Sequence, residues 1–312
     1  MREFESIDRR EFFKKCLATG TAIFGSFYVG MTDKLFAKKS SSSIPDLVAV
    51  RNGEPDIMFD KAIASMGGMS KFVKKGQTVV VKPNIGWNRE IETGADTNPL
   101  LVKRVVEHCL DAGAKKVYVF DHTCDSNWRK CYKNSGIEDA AKAAGAIVVP
   151  GNNEKYYEEV RIPGAKVLKT TKVHELILET DVFINVPVLK HHSSTRLTIA
   201  MKNLMGVIWD RGWYHSNGLH ECIADFCFYK KPDLNIVDAY RVTMANGPSR
   251  ARKEDVILKK SLLISRDIVA VDAASAKVFG LEPEKVKHIK LGYDKNIGNI
   301  NLEELNINKI VL

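Results

Sequence analysis

Short runs of apolar residues alternate with longer amphipathic runs over most of the chain. The run at 78–81 is a Thr followed by three Val and ends at a K-P-N sequence, which is typical of a buried strand. Residues 99–112 instead place Leu101, Val105 and Cys109 on one helical face. Strands that alternate with helices in this way favour a mostly parallel sheet with helices on both faces. The predicted fold class is therefore α/β.

The same pattern predicts the order of the elements. Strands are expected at residues 47–50, 78–81, 117–120, 147–149, 182–186, 234–237 and 262–264, with an edge strand at 307–312. Helices are expected at residues 56–66, 99–112, 137–144, 172–180, 219–229 and 267–279. The polar stretch at 150–170 predicts a peripheral hairpin or excursion. We expect one large α/β domain at 41–312, or two closely packed lobes at 46–150 and 171–300.

Amino-acid composition and net charge indicate which kinds of ligand the protein could bind, but they say little about its fold. The chain has 312 residues, 45% of them hydrophobic and 27% charged, which is ordinary for a globular protein. Its formal net charge is +9, of which +3 lies in residues 1–39 and +6 in the remainder. This mild excess suits a small anionic molecule. We expect no nucleic-acid partner, because no run of basic residues is interleaved with aromatic residues.

The first forty residues have the composition of an export signal. The sequence D-R-R-E-F-F-K at 8–14 resembles the twin-arginine motif, and a weakly apolar stretch at 16–31 and a basic, Ser-rich segment at 38–43 follow it. This predicts a leader at 1–40, recognition by the twin-arginine export machinery, and a periplasmic or other extracytoplasmic location. An uncleaved leader would be the chain's contact with a membrane. The alternative is an amphipathic N-terminal helix.

Five cysteines follow the leader, and none forms a C-x-x-C motif. Cys109 falls on the apolar face of a predicted helix and is expected to be buried. Disulfides between Cys124 and Cys131, or between Cys222 and Cys227, remain open in an oxidising compartment. The same four residues could also hold an iron–sulfur cluster, which their spacing disfavours.

Polar residues recur at the points where predicted strands end. The clearest cases are K-P-N at 82–84, D-H-T at 121–123 and K-H-H at 190–192, joined by Asp238 and Asp267. Ligands of open parallel sheets bind outside the carboxyl ends of the strands. We therefore expect these ends to converge on one pocket. Asp267 also suits a helix N-cap.

The segment at 187–206 is the richest in candidate chemistry. It holds adjacent histidines, three cations and several hydroxyls and amides directly after a predicted strand. Histidine can exchange protons, and a desolvated lysine can act as base or nucleophile. Adjacent side chains point in different directions, so only one histidine need face a pocket. The candidate catalytic residues are His191, His192 and Lys202.

An anion would be held by cations, amides and the start of a helix. The T-N-P sequence at 97–99 leads into a predicted helix, whose free N–H groups can bind a phosphate or carboxylate. The candidate anion-binding residues are Lys82, Asn84, Thr97, Asn98, Lys190 and Asn203.

Carboxylates near these cations would either orient them or hold a divalent metal. An acid among the small and apolar neighbours of Asp272 needs a partner, and Lys82, Lys190 or Lys202 could supply it. The candidate metal ligands are Asp121, His215 and Asp272.

Several short blocks occur in one order along the chain. They are K-P-N, T-N-P, G-A-x-x-V-x-V-x-D, P-x-L-K-H-H, M-K-N-L-M-G, I-V-D and D-x-V-A-V-D. Together, over about residues 46–295, they resemble the prokaryotic family called domain of unknown function 362, which has no assigned general reaction. Some members carry C-x-x-C-x-x-C modules. Their absence from this sequence argues against electron transfer through a cluster.

A weaker resemblance reaches the lactate racemase family, which uses a nickel-pincer nucleotide. His192 precedes Lys202 by ten residues, the spacing of the family's His and covalently linked Lys. The T-N-P sequence at 97–99 is loosely similar to the family's phosphate loop, and His215 or His220 would correspond to a downstream nickel ligand. The family's Thr-Arg-x-Thr-Pro sequence is missing.

The sequence leaves three classes of function open. In the first, which we favour, an exported enzyme clamps a small organic anion with Lys82 and Lys202 and exchanges a proton through His191 or His192. In the second, the same cations form a non-catalytic site for an anion, a metal or a cofactor. In the third, the chain is a redox protein with iron–sulfur or thiol chemistry.

Overall fold

The computed structural model describes residues 44–312, in which a ten-stranded sheet is accompanied by a two-stranded hairpin. The leader predicted at 1–40 lies outside the described residues. The strands in chain order are β1 (Leu47–Arg51), β2 (Thr78–Pro83), β3 (Lys116–Val119), β4 (Ile147–Val148), β5 (Tyr157–Arg161), β6 (Thr170–His174), β7 (Val182–Val186), β8 (Val188–His192), β9 (Arg196–Thr198), β10 (Leu234–Thr243), β11 (Val256–Ser265) and β12 (Ile307–Val311).

Helices cover both faces of the sheet. Along β2, Val80 belongs to one apolar core, whereas Val79 and Val81 belong to another on the opposite face. Within residues 44–312 no helix has the length and apolar character needed to span a bilayer. The α-helices are α1 (Pro55–Ser65), α2 (Pro99–Asp111), α3 (Trp128–Asn134), α4 (Ile137–Ala143), α5 (Glu175–Glu179), α6 (Ala200–Asn203), α7 (Arg211–Asn217), α8 (Leu219–Phe226), α9 (Ile268–Phe279) and α10 (Lys287–Asp294).

The sheet is mostly parallel, which confirms the predicted fold class. Its strand order is β12-β1-β11-β10-β7-β2-β3-β4, with β8 and β9 added beside β10. Six of its strand pairs are parallel and three are antiparallel. Because β11 is antiparallel to both of its neighbours, β1 and β2 run in the same direction. The chain therefore enters β1 at one end of the sheet, and β2, β3 and β7 finish at the other.

This order brings three predicted polar strand ends together. The strands β7, β2 and β3 are adjacent and parallel, and Lys82 on β2 lies in register with Asn185 on β7. The residues that follow all three strands therefore meet at one edge. The same pairing joins β2 from the first predicted lobe to β7 from the second, so one sheet crosses both lobes.

Two element predictions were wrong. The predicted helix at 172–180 is instead the end of β6 followed by the short α5, because its first residues pair with β5 in the hairpin expected from the polar stretch. The K-H-H sequence at 190–192, expected after the end of the strand at 182–186, instead lies in a further strand, β8, which pairs with β10 and β9. The helices α3, α7 and α10 were not predicted.

We predict that Asp267→Ala destabilises the fold by about 1–3 kcal/mol. One carboxylate oxygen accepts hydrogen bonds from the N–H groups of Val269 and Ala270 at the start of α9, and the other accepts from Asn299 at 2.7 Å. Urea unfolding would measure the change. Asp111→Ala, at an exposed position without these contacts, is the control and should change stability by less than about 0.5 kcal/mol. Equal effects from the two substitutions would contradict the capping role.

Candidate functional site

A cavity of about 400 Å³ opens at the carboxyl ends of β2 and β3 and beside β8. Its wall contains four cations and one carboxylate, so its lining is positively charged overall. Residues predicted from three separate strand ends and from the M-K-N-L-M-G block meet here. The lining residues used below are Lys82, Asn84, Asp121, His122, Cys124, Lys190, His192, Lys202, Asn203, Gly206, Arg211 and His215.

Lys82 and Asp121 form a buried ion pair at the base of the cavity. Lys82 Nζ lies 2.8 Å from Asp121 Oδ1, and it also donates to Asn203 Oδ1 at 2.9 Å and to the carbonyl of Pro83 at 2.7 Å. Burial lowers the pKa of Lys82, and the Asp121 carboxylate opposes this. An ammonium group has three N–H donors. The protein uses all three on Lys82, which therefore has none left for a ligand.

Two asparagines connect this pair to a second buried lysine. Asn203 Oδ1 accepts a 2.8 Å hydrogen bond from Asn84 Nδ2, and Asn84 Oδ1 accepts one of 2.8 Å from Lys190 Nζ. Lys190 also donates to the carbonyl of Ala95. Burial lowers the pKa of Lys190. Lys190 thus retains one N–H for a ligand.

Lys202 has no such partners. Its side chain lines the cavity, yet it makes no hydrogen bond or ion pair with any residue of the described part. Burial lowers the pKa of Lys202 to about 8, and the positive charges of Arg211 and Lys190 act in the same direction. Near neutral pH the amine is therefore mostly protonated with a substantial uncharged fraction, and all three of its positions are available.

His192 faces the cavity as a neutral imidazole. Burial lowers the pKa of His192 to about 2, and the charge of Lys202 acts in the same direction. Its Nδ1 accepts a 3.1 Å hydrogen bond from the backbone N–H of Ser194, which assigns the ring proton to Nε2. His192 is therefore a hydrogen-bond donor rather than a base. His191, on the other face of β8, does not line the cavity, and its Nδ1 is buried without a partner.

One wall of the cavity comes from residues that sequence reasoning did not select. Arg211, the first residue of α7, donates to the carbonyls of His122 at 2.7 Å and Thr123 at 2.6 Å. It also lies 3.3 Å from the exposed thiol of Cys124. The His122 ring stacks on Trp209, with centroids 5.0 Å apart. No strand end or motif marks Arg211, because α7 reaches the cavity through tertiary packing.

A larger cavity of about 900 Å³ lies on the other side of His122 and Arg211, which line both. Trp209 and the hairpin residues 167–172 form much of its wall. Glu154 at its rim is paired with a lysine of the hairpin. This cavity contains no chain of buried lysines and asparagines, so the smaller one is the stronger candidate for an anion.

Gly206, which ends the M-K-N-L-M-G block, lies so close to the Lys82–Asp121 ion pair that no larger side chain fits there. A Cβ at Gly206 would lie 1.9 Å from Asp121 Oδ1 and 2.6 Å from Lys82 Nζ. The Gly206 carbonyl also accepts a 3.0 Å hydrogen bond from the N–H of His122. In the same block, Asn203 binds Lys82 and Lys202 faces the cavity.

Thr97 and Asn98 do not reach the cavity. Thr97 Oγ1 accepts from the N–H of Asn84 and donates to the carbonyl of Val186. The Asn98 side chain caps α2 at the N–H of Leu100, and its own N–H is bound by a carboxylate of β10. The predicted anion site at this helix start is wrong, because the helix is capped from within the protein.

The three predicted metal ligands are not brought together. Asp272 accepts hydrogen bonds from the N–H groups of Ala200 at 2.7 Å and Met201 at 3.0 Å, and burial raises its pKa to about 8. Its partner is thus the start of α6 and not a lysine. Asp121 is paired with Lys82, and only His215 is exposed at the cavity. Within residues 44–312 no group of three or more His, Cys, Asp or Glu side chains is placed to hold a metal ion.

The nickel-pincer arrangement is only partly present. His192, Lys202 and His215 line one cavity, but the T-N-P sequence at 97–99 is buried elsewhere, so the described residues offer no phosphate loop. His220 lies against His288, with Nδ1 atoms 3.3 Å apart. The residues do not fit that cofactor.

All five cysteines of the described residues are free thiols. Neither of the two disulfides that the sequence left open is formed, and the four cysteines of the alternative iron–sulfur site do not form a cluster. Cys109 is buried as expected.

Comparison with known families agrees with the order of the blocks noted in the sequence. Residues 79–277 match the model of the domain of unknown function DUF362. Since the match covers more than half of the chain, the protein is a member of this family.

One curated protein and two solved structures are also similar to this chain. The thylakoid-associated protein sll1697 of Synechocystis is 26% identical over 229 residues, which is 71% of this chain and 68% of the relative. Two solved structures are similar, each with a TM-score of 0.44: a Thermotoga maritima protein at 12% identity, and the lactate racemase apoprotein of Thermoanaerobacterium thermosaccharolyticum at 10%. The matches cover 78% and 82% of this chain, but only 60% and 59% of those structures. They carry no conclusion about activity.

We predict opposite stability effects at two lysines of the cavity. Lys82→Met leaves Asp121 buried without its cation and should destabilise the protein by about 3–5 kcal/mol. Lys202→Met removes a partly buried amine that has no protein partner and should stabilise the protein by about 1 kcal/mol at neutral pH. The second gain should shrink above about pH 8, because the wild-type amine then loses its charge.

Urea unfolding of both variants and the wild type at about pH 7 and pH 9 would measure these changes. Destabilisation of similar size in both variants would show that Lys202 has a structural partner.

Proposed function

We propose that this protein is an enzyme that binds a small organic anion in the cation-rich cavity and acts on it through Lys202. The observation that carries this proposal is the amine of Lys202, which lines the cavity without any protein partner. A partly buried amine with a lowered pKa and no protein partner is unfavourable for stability, and perturbed groups of this kind are concentrated at functional sites.

The N–H groups of the cavity that have no protein acceptor would bind the anion. Lys202 offers three N–H groups, Lys190 one, and Arg211 two of its five, since three are directed at protein acceptors. His192 adds its Nε2–H. Lys82, in contrast to the sequence-based expectation, contributes charge but no hydrogen bond. A carboxylate bound between Lys202 and Arg211 would replace the missing partners of both.

Lys202, rather than a histidine, would exchange a proton with the bound anion. The imidazole of His192 is uncharged near neutral pH, and its Nδ1 lone pair is occupied. Lys202, with a pKa of about 8, exchanges a proton in the physiological range.

A second candidate is a non-catalytic binding protein for the same anions. The neutral, hydrogen-bonded state of His192 favours it, because that imidazole then serves binding alone. The two candidates share their ligand contacts and differ in whether the bound anion is converted.

We predict that Lys202→Ala weakens binding of succinate, pyruvate and inorganic phosphate at about pH 7 by tenfold or more. Wild-type affinity should fall roughly tenfold between about pH 7 and pH 9, because Lys202 loses its proton over that range. Isothermal titration calorimetry would measure both effects. Lys61→Ala, at an exposed position on α1, is the matched control and should bind as the wild type does.

The anion site would be refuted if Lys202→Ala bound all three anions as tightly as the wild type. Detection of a converted product in anaerobic and aerobic incubations would separate the enzyme from the binding protein.

We propose further that the protein is exported through its twin-arginine sequence. The expected result is that replacing Arg9 and Arg10 together by lysine retains the protein in the cytoplasm, while Lys14→Gln has a smaller effect. Fractionation and N-terminal sequencing would check this and would show whether the leader remains as a membrane anchor. The description of the Synechocystis relative as thylakoid-associated makes the membrane fraction a necessary part of the measurement. Equal distribution of the wild type and the double variant would contradict export by this route.

A further inference from the structure

We propose that Lys202 forms an imine with a carbonyl-bearing organic anion, such as a 2-oxo acid, in the cavity. This inference rests on the proposed function and narrows its substrate to a class. It depends on the position, the surroundings and the hydrogen-bonding state of Lys202.

The backbone that carries Lys202 is held on both sides. The N–H groups of Ala200 and Met201, which precede it, donate to the two oxygens of Asp272. Asn203, which follows it, binds Lys82 Nζ and, through Nδ2, Asn185 Oδ1 at 2.8 Å. The amine therefore projects from a fixed point, as a nucleophile directed at a bound carbonyl requires.

The lysines of the cavity differ in whether their nitrogen lone pair can become available. Lys82 is tied to a carboxylate and two other acceptors, and Lys190 to two acceptors. Three hydrogen-bonding positions of Lys82 and two of Lys190 are thereby taken up by the protein. Lys202 has no acceptor among the described residues, so deprotonation of Lys202 breaks no hydrogen bond.

Burial and the neighbouring cations lower the pKa of Lys202, and Cys124 opposes them. Lys82, Lys190 and Arg211 supply the cations of the cavity, and its carboxylate is already paired with Lys82. Burial lowers the pKa of His192 to about 2, and partial desolvation lowers the pKa of His215. The pKa of about 8 follows from burial together with these cations. Such surroundings are those in which a lysine amine becomes a nucleophile.

The reaction balances without any oxidant, reductant or metal. The uncharged amine of Lys202 adds to the carbonyl carbon, so a C–N bond forms and the C=O π bond opens. One proton moves from nitrogen to that oxygen, which gives a carbinolamine. The second nitrogen proton is then transferred to the same oxygen as the C=N bond forms, and the oxygen leaves as water. His192 Nε2–H can donate a hydrogen bond to this oxygen, while Lys190 and Arg211 hold the carboxylate.

A thiol is present as an alternative nucleophile. Cys124 lines the same cavity and is exposed. Its addition to a carbonyl gives a thiohemiacetal, which releases the carbonyl on dilution and is not reduced by cyanoborohydride. An imine is reduced to a stable secondary amine, so reductive trapping distinguishes the two.

The test is reductive trapping on the full chain. The protein is incubated at about pH 7.5 with pyruvate or glyoxylate and sodium cyanoborohydride, and the product is analysed by intact mass and peptide mapping. We expect one dominant adduct on Lys202, formed at least tenfold faster than on surface lysines such as Lys61. Cys124→Ser should retain the adduct, and Lys202→Ala and Lys202→Met should lose it while remaining folded by circular dichroism.

Each outcome decides a different claim. If calorimetry shows binding of succinate and phosphate but neither oxo acid modifies Lys202, the imine is refuted and the anion site stands. If no anion binds and Lys202 is not modified, the proposed function fails as well. Equal labelling of Lys202 and Lys61 would also refute the imine, since it would reflect general amine reactivity.

Discussion

The ion pair between Lys82 and Asp121 joins two neighbouring strands at the point where the sheet ends. Two opposite charges buried this deeply are tolerated only if their remaining hydrogen-bonding positions are satisfied. Lys82 donates to Asn203 and to the Pro83 carbonyl, and Asp121 Oδ2 accepts from the N–H of Ile85, while Asp121 Oδ1 has only its ion-pair contact with Lys82. The base of the cavity is thus a connected polar network, and the groups that face the ligand are arranged on top of it.

This network separates structural from reactive cations. A lysine whose donors are all used serves to hold strands together, whereas a lysine on the same wall with unused donors is available to a ligand. Lys82, Lys190 and Lys202 form such a series, with three, two and no protein acceptors. Residue type alone does not distinguish these roles, because the distinction lies in the partners.

The sequence predicted the fold class and most elements because apolar periodicity is a local signal. It also predicted that Lys82, His192 and Lys202 share one cavity, since adjacent parallel strands end at one edge. It failed where long-range contacts decide the role. Thr97 and Asp272 are residue types that often bind ligands, yet their side chains bind backbone groups that are distant in sequence. The Asn98 side chain caps its own helix, and its N–H donates to the carboxylate of Asp238. Arg211 enters from a helix that no periodic pattern marked.

The direction of β1 determines the side of the domain at which the preceding part of the chain is attached. The chain enters the sheet at the end opposite the one where Lys82 and Asp121 meet. The polypeptide that precedes residue 44 therefore joins the domain on the side away from the mouth of the cavity. A support attached directly at residue 44 would leave that mouth accessible.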